Sequence, residues 1–240
     1  DAIKTAEEHP EIQYVFAAVG FETTTPIYGV LLDEIESRDI QNLKLLTSLK
    51  IMVPAISYVC ENEDKIDAFL APGHVSVIIG CDIYQDLAEK YKKPFVVAGF
   101  EGEHLLAAIY EIVMQMEQGR YEMKNMYKNA VSEKGNPAAL SVIGKYFELK
   151  DDFWRGIGVI EQSGLRLKGQ YQKYDAGSSF DEYQEQMPKG CRCSDVILGR
   201  ITPPECPLFA KVCTPLDAVG PCMVSTEGVC GIWYKNRGRE

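Results

Sequence analysis

Short apolar runs alternate with amphipathic runs from the start of the chain to about residue 120. The amphipathic runs repeat apolar residues every three or four positions, as a helix with one buried face does, and the apolar runs between them favour strands. This alternation is typical of βαβ units, and it predicts an α/β fold with helices on both faces of a parallel sheet. The predicted strands are Tyr14–Val19, Lys44–Leu49, Val75–Ile79 and Phe95–Ala98, and the predicted helices are Ile27–Glu36, Asn62–Leu70, Ile83–Lys90 and Glu103–Gln118.

The pattern changes after residue 120. Tyr121–Lys150 is helical in pattern, with a break at Glu133–Pro137, where glycine and proline interrupt regular structure. Trp154–Tyr171 is predicted as two short strands joined at Ser163–Gly164, followed by a polar connection with a short helix capped by Ser179. We therefore predict a Rossmann-like α/β domain over 1–120, further α/β elements of a second, truncated domain over 121–178, and a small cysteine-rich module over 179–240.

Three turns share the pattern of glycine, any residue and an acid, and each is predicted to join a strand to a helix. They are Gly20–Glu22, Gly80–Asp82 and Gly99–Glu101. Ligands of open α/β sheets bind outside the carboxyl ends of the strands, so the three acids are predicted to lie along one rim. An acid in the first turn of a helix also interacts favourably with the helix dipole. This interaction stabilises the helix by about 0.3–1 kcal/mol whether or not the acid has a function. We favour this simpler explanation for Asp82.

The sequence "GFETTTPI" around the first of these turns carries three consecutive threonines. Thr25 is predicted to cap the following helix, and Pro26 suits the first helical position. Thr23 and Thr24 then present hydroxyls at a helix N-terminus, where free backbone N–H groups attract anions. The same residues are equally suited to an ordinary turn and cap. The glycine and lysine pattern of a phosphate-binding P-loop is missing, so no nucleotide site is predicted.

His74 lies in "APGHVSVIIG", after a Pro-Gly turn and before the predicted strand Val75–Ile79. This position places it at the rim opposite the acidic turns. A lone histidine of this kind is either an ordinary loop residue or a ligand or general base, and the sequence leaves both open. His9 and His104 belong to no pattern, and no catalytic-triad spacing or zinc-protease motif is present.

Composition and charge exclude several classes of protein. A chain of 240 residues with 46% hydrophobic residues can bury a large core without covalent cross-links. Its net charge of −10 argues against binding to nucleic acid or to an anionic membrane. No apolar run reaches the ~18–20 residues of a spanning helix, and the first residues lack the basic and apolar segments of a secretory leader. These features predict a cytoplasmic protein.

Six of the eight cysteines lie between Cys191 and Cys230. Prolines beside several of them fix turns that aim thiolates at one point, a feature of some iron–sulfur proteins. The only close pair is Cys191 and Cys193, whereas structural zinc sites typically have two longer C-x₂₋₄-C pairs. Disulfides or a redox pair stay open, although a large core and a cytoplasmic setting disfavour them. Cys60 and Cys81 stand alone and are predicted to be packed as small apolar residues.

Five segments together resemble the HypD family of [NiFe]-hydrogenase maturation factors. They are Gly20–Pro26, Ala71–Gly80, Val96–Glu101, Trp154–Leu167 and Cys191–Cys230. The resemblance implies α/β domains of similar topology and a small [4Fe–4S] domain. It also implies a redox-active scaffold rather than a stand-alone enzyme. With a HypC partner, such a scaffold assembles an iron unit carrying two cyanides and one carbon monoxide, and HypE supplies the cyanide.

The resemblance also assigns roles to residues. The cluster ligands would be Cys191, Cys206, Cys213 and Cys230, and Cys193 and Cys222 would be spare thiols. The residues facing the assembly cleft would be Glu22, Thr23, Thr24, His74 and Glu101.

The chain departs from the family pattern at Gly102, Glu103 and Ser194. More importantly, it lacks the family's N-terminal Cys-Gly-Thr-His and Cys-Pro-Val-Cys stretches, the first of which is thought to hold the iron. The resemblance therefore covers the C-terminal two thirds of the family protein. Two other functions stay open at this point: a zinc- or disulfide-stabilised α/β binding protein, and an anion-binding transferase without a redox role.

Overall fold

The computed structural model describes residues 1–178 and 188–237. The strands are β1 (Tyr14–Gly20), β2 (Leu43–Lys50), β3 (Phe69–Pro72), β4 (Phe95–Ala98), β5 (Met123–Asn125), β6 (Phe147–Trp154) and β7 (Gly158–Leu167). The helices are α1 (Ala2–Glu8), α2 (Thr25–Ser37), α3 (Met52–Asn62), α4 (Gly73–Ile79), α5 (Ile83–Tyr91), α6 (Gly102–Glu117), α7 (Pro137–Tyr146), α8 (Cys193–Ile197), α9 (Pro221–Val224) and α10 (Val229–Asn236). Short 3₁₀ turns span Gly169–Tyr174 and Pro203–Glu205.

The described strands form two sheets, and the α/β class predicted from the sequence is confirmed. The first sheet has the order β1-β2-β7-β6; β1 and β2 are parallel, and β2 and β7 are antiparallel. The second sheet has the order β3-β4-β5 and is parallel throughout, with Phe95 of β4 opposite Phe69 on one side and Met123 on the other. All four residues of β4 are buried, as expected for a central strand of a parallel sheet.

The main core lies against the first sheet. Alternate residues of β2 are buried, and Leu45 and Leu49 pack with Leu32 and Ile35 of α2. Helix α7 begins where the sequence predicts a break, because Pro137 suits a first helical position and the side chain of Asn136 accepts hydrogen bonds from two backbone N–H groups of the first turn. The alternation of apolar residues along β2 and their helical spacing along α2 therefore identify the buried face of each element.

The region from residue 51 to residue 80 differs from the prediction. Val75–Ile79 is not a strand but belongs to helix α4, and the strand lies earlier, at Phe69–Pro72. The helix predicted at Asn62–Leu70 is also wrong, because α3 ends at Asn62. Short apolar runs do not distinguish a strand from a buried helical turn. Tertiary packing decides here: a Cβ atom at Gly73 would lie 2.6 Å from the carbonyl oxygen of Ala98, so the chain can turn tightly against β4 only at a glycine.

The segment after residue 120 also contains more strand than predicted. The helical pattern over Tyr121–Lys150 is wrong at both ends, where β5 and the first half of β6 lie. The turn between β6 and β7 falls at residues 155–157, and Ser163–Gly164 lies inside β7, where Gly164 pairs with Lys50 and packs against the side chain of Asp152. The helix predicted to be capped by Ser179 falls outside the described residues.

The chain divides into two compact units. The first contains Asp1–Tyr58, Asp67–Asp152 and the described residues from Ile160 to 178; the second contains Val59–Ile66, Phe153–Val159 and the described residues from 188 onward. The domain limits at residues 120 and 178 stay a prediction. Among the described helices, none combines the length and the apolar character that crossing a bilayer requires.

Candidate functional site

Glu22 follows strand β1 and is buried, with only 4% of its surface exposed. Its Oε1 accepts a hydrogen bond of 2.9 Å from the backbone N–H of Met52. Its Oε2 is also buried and has no hydrogen-bond partner among the described residues. Burial raises the pKa of the Glu22 carboxyl, and the bond from Met52 only partly offsets this rise. Glu22 is therefore a candidate for a neutral carboxylic acid inside the protein.

The three threonines after Glu22 form a tight turn. The hydroxyls of Thr24 and Thr25 both donate to the carbonyl oxygen of Phe21, at 3.2 and 2.9 Å. Thr25 is the first residue of α2 and is fully buried, so the predicted cap at Thr25 is wrong; Thr24 occupies the cap position without a side-chain capping bond. Thr23 is half-buried. Since two of the three hydroxyls are turned back into the loop, the geometry gives no support to an anion site built from them.

His74 lies at the same edge of its sheet as Glu101, not at the opposite rim. It is the second residue of α4, which follows β3, and Glu101 follows β4. Because β3 and β4 are parallel, with Pro72 opposite Ala98, their carboxyl ends meet at one edge. The imidazole of His74 is exposed and packs against the ring of Phe100, with 4.6 Å between ring centroids. The structure thus brings together two residues that the predicted strand had separated.

Glu101 has a hydrogen-bond partner that sequence reasoning missed. Its Oε2 lies 2.9 Å from Nδ1 of His104, one turn further along α6. Its own backbone N–H, and then His104, lower the pKa of the exposed Glu101 carboxyl. Gly99 permits this arrangement, since a Cβ atom there would lie 2.6 Å from the Glu101 carboxylate and 3.3 Å from the ring of Tyr127. The i, i+3 spacing of Glu101 and His104 at a helix start was the available signal.

Asp82 does not share this edge. The glycine before it, Gly80, follows helix α4 rather than a strand, and Asp82 occupies the cap position of α5. Only two of the three glycine-acid turns therefore end strands, and these strands belong to different sheets. Cys81, between Gly80 and Asp82, is buried as predicted.

All six cysteines of the C-terminal segment line one small cavity, of about 10 Å³, in the second unit. Five of them are buried and Cys191 is half-buried. Short elements place them: α8 begins at Cys193, Cys206 follows a 3₁₀ turn closed by a capping box between Thr202 and Glu205, and α9 and α10 carry the last two. None of the six is in a disulfide. They are Cys191, Cys193, Cys206, Cys213, Cys222 and Cys230.

The sulfur atoms lie close together. The Sγ atoms of Cys222 and Cys230 are 3.1 Å apart, and the backbone N–H of Cys222 donates to Sγ of Cys193 at 3.3 Å. Burial raises the pKa of the Cys191 and Cys230 thiols, and the neighbouring thiols Cys206 and Cys213 add to the rise. The contact with Cys222 and burial raise the pKa of Cys193. The raised pKa values of Cys191, Cys193 and Cys230 favour the neutral form of these three thiols.

The donor set fits an iron–sulfur cluster, because converging cysteine thiolates in an apolar, water-excluding shell are the ligands such clusters take. Leu208, Phe209 and Val196 supply that shell. Within residues 1–178 and 188–237, however, no group of three His, Cys, Asp or Glu side chains has the spacing that would hold a single metal ion. The six thiols line the same cavity, so the division into four ligands and two spare thiols stays a prediction.

An ion pair between a buried acid and an exposed arginine lies within the second unit. Glu63 is 6% exposed, and its two carboxylate oxygens accept from Nη2 and Nε of Arg200, at 2.5 and 3.1 Å. Arg200 also contacts Asp195 of α8 at 3.4 Å. The pair thus links residues 59–66 to the helix that carries Cys193.

Comparison with known proteins places these features in one family. The sequence profile described as "HypD: Hydrogenase formation hypA family" matches residues 1–237. A hydrogenase expression/formation protein of Methanocaldococcus jannaschii is 41% identical over 99% of this chain and 67% of its own length. The hydrogenase maturation factors HypD of Cupriavidus necator and Escherichia coli are 38% and 40% identical over 98% and 100% of this chain. The chain spans 64% and 65% of the lengths of these two relatives.

Proposed function

The chain belongs to the HypD family of hydrogenase maturation proteins, and from this we propose that it serves as a scaffold for assembly of the iron unit of [NiFe]-hydrogenase. In this proposal a HypC-type protein binds the scaffold, a HypE-type protein delivers cyanide, and the product is iron carrying two cyanides and one carbon monoxide. The observation that carries the proposal is the convergence of six thiols in one buried cavity, in a chain that matches this family over residues 1–237.

Cys191, Cys206, Cys213 and Cys230 are proposed to hold a [4Fe–4S] cluster. When bound, such a cluster supplies one-electron transfer. The chain's own contribution is to exclude water and to bring the thiols together. Binding then releases their protons, because metal ligation requires thiolates, and the positive charge of iron compensates sulfur anions that this apolar shell would not otherwise tolerate.

Two groups of residues are proposed to contact the iron unit under assembly: His74 and Glu101 at the exposed edge after β3 and β4, and Glu22, Thr23 and Thr24 in the turn after β1 of the other sheet. Cyanide bound to iron carries electron density at its nitrogen, which favours hydrogen-bond donors nearby. The imidazole of His74 and the threonine hydroxyl of Thr23 are donors of this kind, with Thr24 shaping the turn. Glu101 is held by His104 at 2.9 Å, so its orientation is fixed before a ligand arrives. Glu22 is proposed to contribute indirectly from its buried position, by holding the turn after β1 through the hydrogen bond that its Oε1 accepts from Met52.

Reducing conditions suit this function, so we propose the cytoplasm as its compartment. A cluster needs free thiolates as ligands, and cysteines stay reduced in a compartment in which disulfides are rare. The net charge of −10 argues against nucleic acid as a partner and leaves the maturation proteins as the proposed ones.

Hydrogenase activity in a HypD-deficient strain that expresses this protein tests the proposal. The Cys206→Ser variant removes a proposed ligand, and Cys60→Ser is its control, since Cys60 lies on α3 outside the cysteine cavity. We expect the wild type and Cys60→Ser to restore activity and Cys206→Ser to leave it at the background level. Full activity of Cys206→Ser would contradict the proposed role of the cysteines.

A further inference from the structure

Helix α6 of the first unit is apolar on two sides. On its inner side, Leu105, Ala108 and Ile112 pack with the buried Val96 and Ala98 of strand β4. This side accounts for the attachment of the helix to its sheet. The second apolar side therefore needs a different explanation.

The outer face of α6 is exposed to solvent, although its residues are large and apolar. They are between 43% and 70% exposed: Leu106, Ile109, Tyr110, Val113 and Met116. A helix that packs on a sheet normally carries polar residues on the side that faces water. Together the five residues leave on the order of 500 Å² of mostly apolar surface uncovered by the described residues, a size at which such patches often mark an interaction site.

The spacing along this outer face suits a second helix. Leu106, Ile109, Val113 and Met116 follow one another at intervals of three, four and three residues. These are the intervals of the a and d positions of a coiled coil, whose side chains pack between those of a facing helix. A lipid surface suits the face poorly, because α6 contains no lysine or arginine to hold anionic headgroups and the chain carries a net charge of −10.

We propose that the outer face of α6 is the contact surface of a homodimer, in which the α6 helices of two copies pack in antiparallel orientation. The charges at its ends favour this orientation. Glu103 lies in the first turn of α6, and Arg120, whose side chain is 37% exposed, follows the end of the helix at Glu117. An antiparallel pair brings Glu103 of each copy towards Arg120 of the other, whereas a parallel pair would align like charges.

The antiparallel pair also satisfies the a and d positions. A twofold axis near the middle of α6 places Leu106 opposite Met116 of the other copy, and Ile109 opposite Val113, so that each a residue meets a d residue. Two outer faces would bury about 1,000 Å² in total, which is the lower limit for a specific interface. We therefore expect a weak dimer that forms in a concentration-dependent way. This inference does not depend on the role in hydrogenase maturation.

Sedimentation equilibrium of the purified protein at concentrations of about 5–500 µM tests the proposal, with an expected dissociation constant on the order of 10–100 µM. Ile109→Lys and Val113→Glu each place a charge in the contact and should weaken association at least tenfold. Val30→Lys and Val30→Glu are the matched controls, because Val30 is 52% exposed on α2 and lies outside the outer face of α6. Both controls should associate like the wild type.

Mixing the two α6 variants tests the occupant and its orientation. In a mixed antiparallel dimer, the new lysine at position 109 faces the new glutamate at position 113, and the other pair of residues is unchanged. The mixture should therefore associate at least threefold more strongly than either variant alone. In a parallel dimer these positions do not meet, so a mixture no stronger than its components would overturn the proposed arrangement.

Three other results would also overturn the proposal. They are a wild type that sediments as a single chain over the whole concentration range, undiminished association of Ile109→Lys, and an equal loss of association in the Val30 controls. The first result would indicate that a different partner covers the outer face. Iron and sulfide content, measured on the same samples, distinguishes each of these results from failure of the maturation role.

Discussion

Gly220→Ala perturbs the cysteine cavity with a single methyl group. Gly220 precedes α9 with φ −106° and ψ 151°, an extended conformation that alanine adopts without strain, so the effect is confined to packing. An added Cβ would lie 2.8 Å from Sγ of Cys191, whereas ordinary contacts begin near 3.4 Å. The sulfur must therefore retreat by about 0.6 Å, which exceeds the ~0.5 Å within which a ligand site has to be held.

We expect two consequences of this displacement. Overpacking of a buried site costs about 1–3 kcal/mol, so the urea midpoint of unfolding should fall. Because Cys191 is a proposed ligand, iron and acid-labile sulfide per chain after anaerobic purification should fall to about half or less of the wild-type content.

Gly144→Ala is the matched control. Nothing lies within 4 Å of a Cβ added at Gly144, which is inside α7, so this variant should gain about 0.5–1 kcal/mol of stability and keep its iron. Full iron content in Gly220→Ala with an unchanged urea midpoint would refute the packing described for the six thiols and the role given to Cys191.

Three further predictions concern the other charged groups. The pKa of Glu22 in the folded protein is raised above its ordinary value of 4.5, so the folded state holds the proton longer than the unfolded state and wild-type stability falls as pH rises above 4.5. Glu22→Gln should therefore gain stability relative to the wild type as pH rises above 4.5 in urea titrations, and a stability difference that does not change with pH would contradict the burial of an acid there. His104→Ala should raise the pKa of Glu101 in a carboxyl ¹³C NMR titration, because one of the groups that lower it is removed. Glu63→Gln should lower the urea midpoint of unfolding by weakening the two bonds from Arg200, and a midpoint equal to the wild type would show that the pair contributes nothing.

Much of the fold was predictable because its signals are local. Strand β4 has the predicted bounds, and β1, β2, α2, α5 and α6 lie within about two residues of theirs, since their apolar residues repeat at one clear period. The region from α3 to α4 was mistaken because runs of four to seven apolar residues fit a strand or a helical turn equally well. There the close approach of Gly73 to β4 determines where the strand ends and the helix begins, and the local sequence pattern does not predict this contact.

The candidate sites likewise combine features that have a local sequence signal with features that have none. Six cysteines within forty residues predicted a common site, and the structure brings all six together. The environment of Glu22 could not be predicted from the sequence. Its hydrogen-bond partner Met52, and Leu140 and Leu165, which line the same cavity, are far from Glu22 along the chain. The shared edge of His74 and Glu101 was missed for a different reason, since it depends on whether a strand comes before or after residue 74.

Iron and acid-labile sulfide per chain, measured with zinc after anaerobic purification, test the central claim most directly. A [4Fe–4S] cluster held by Cys191, Cys206, Cys213 and Cys230 predicts iron and sulfide in equal, fourfold molar amounts per chain, with zinc at background. Zinc at one equivalent without iron or sulfide, or disulfides among these cysteines in the purified protein, would contradict it.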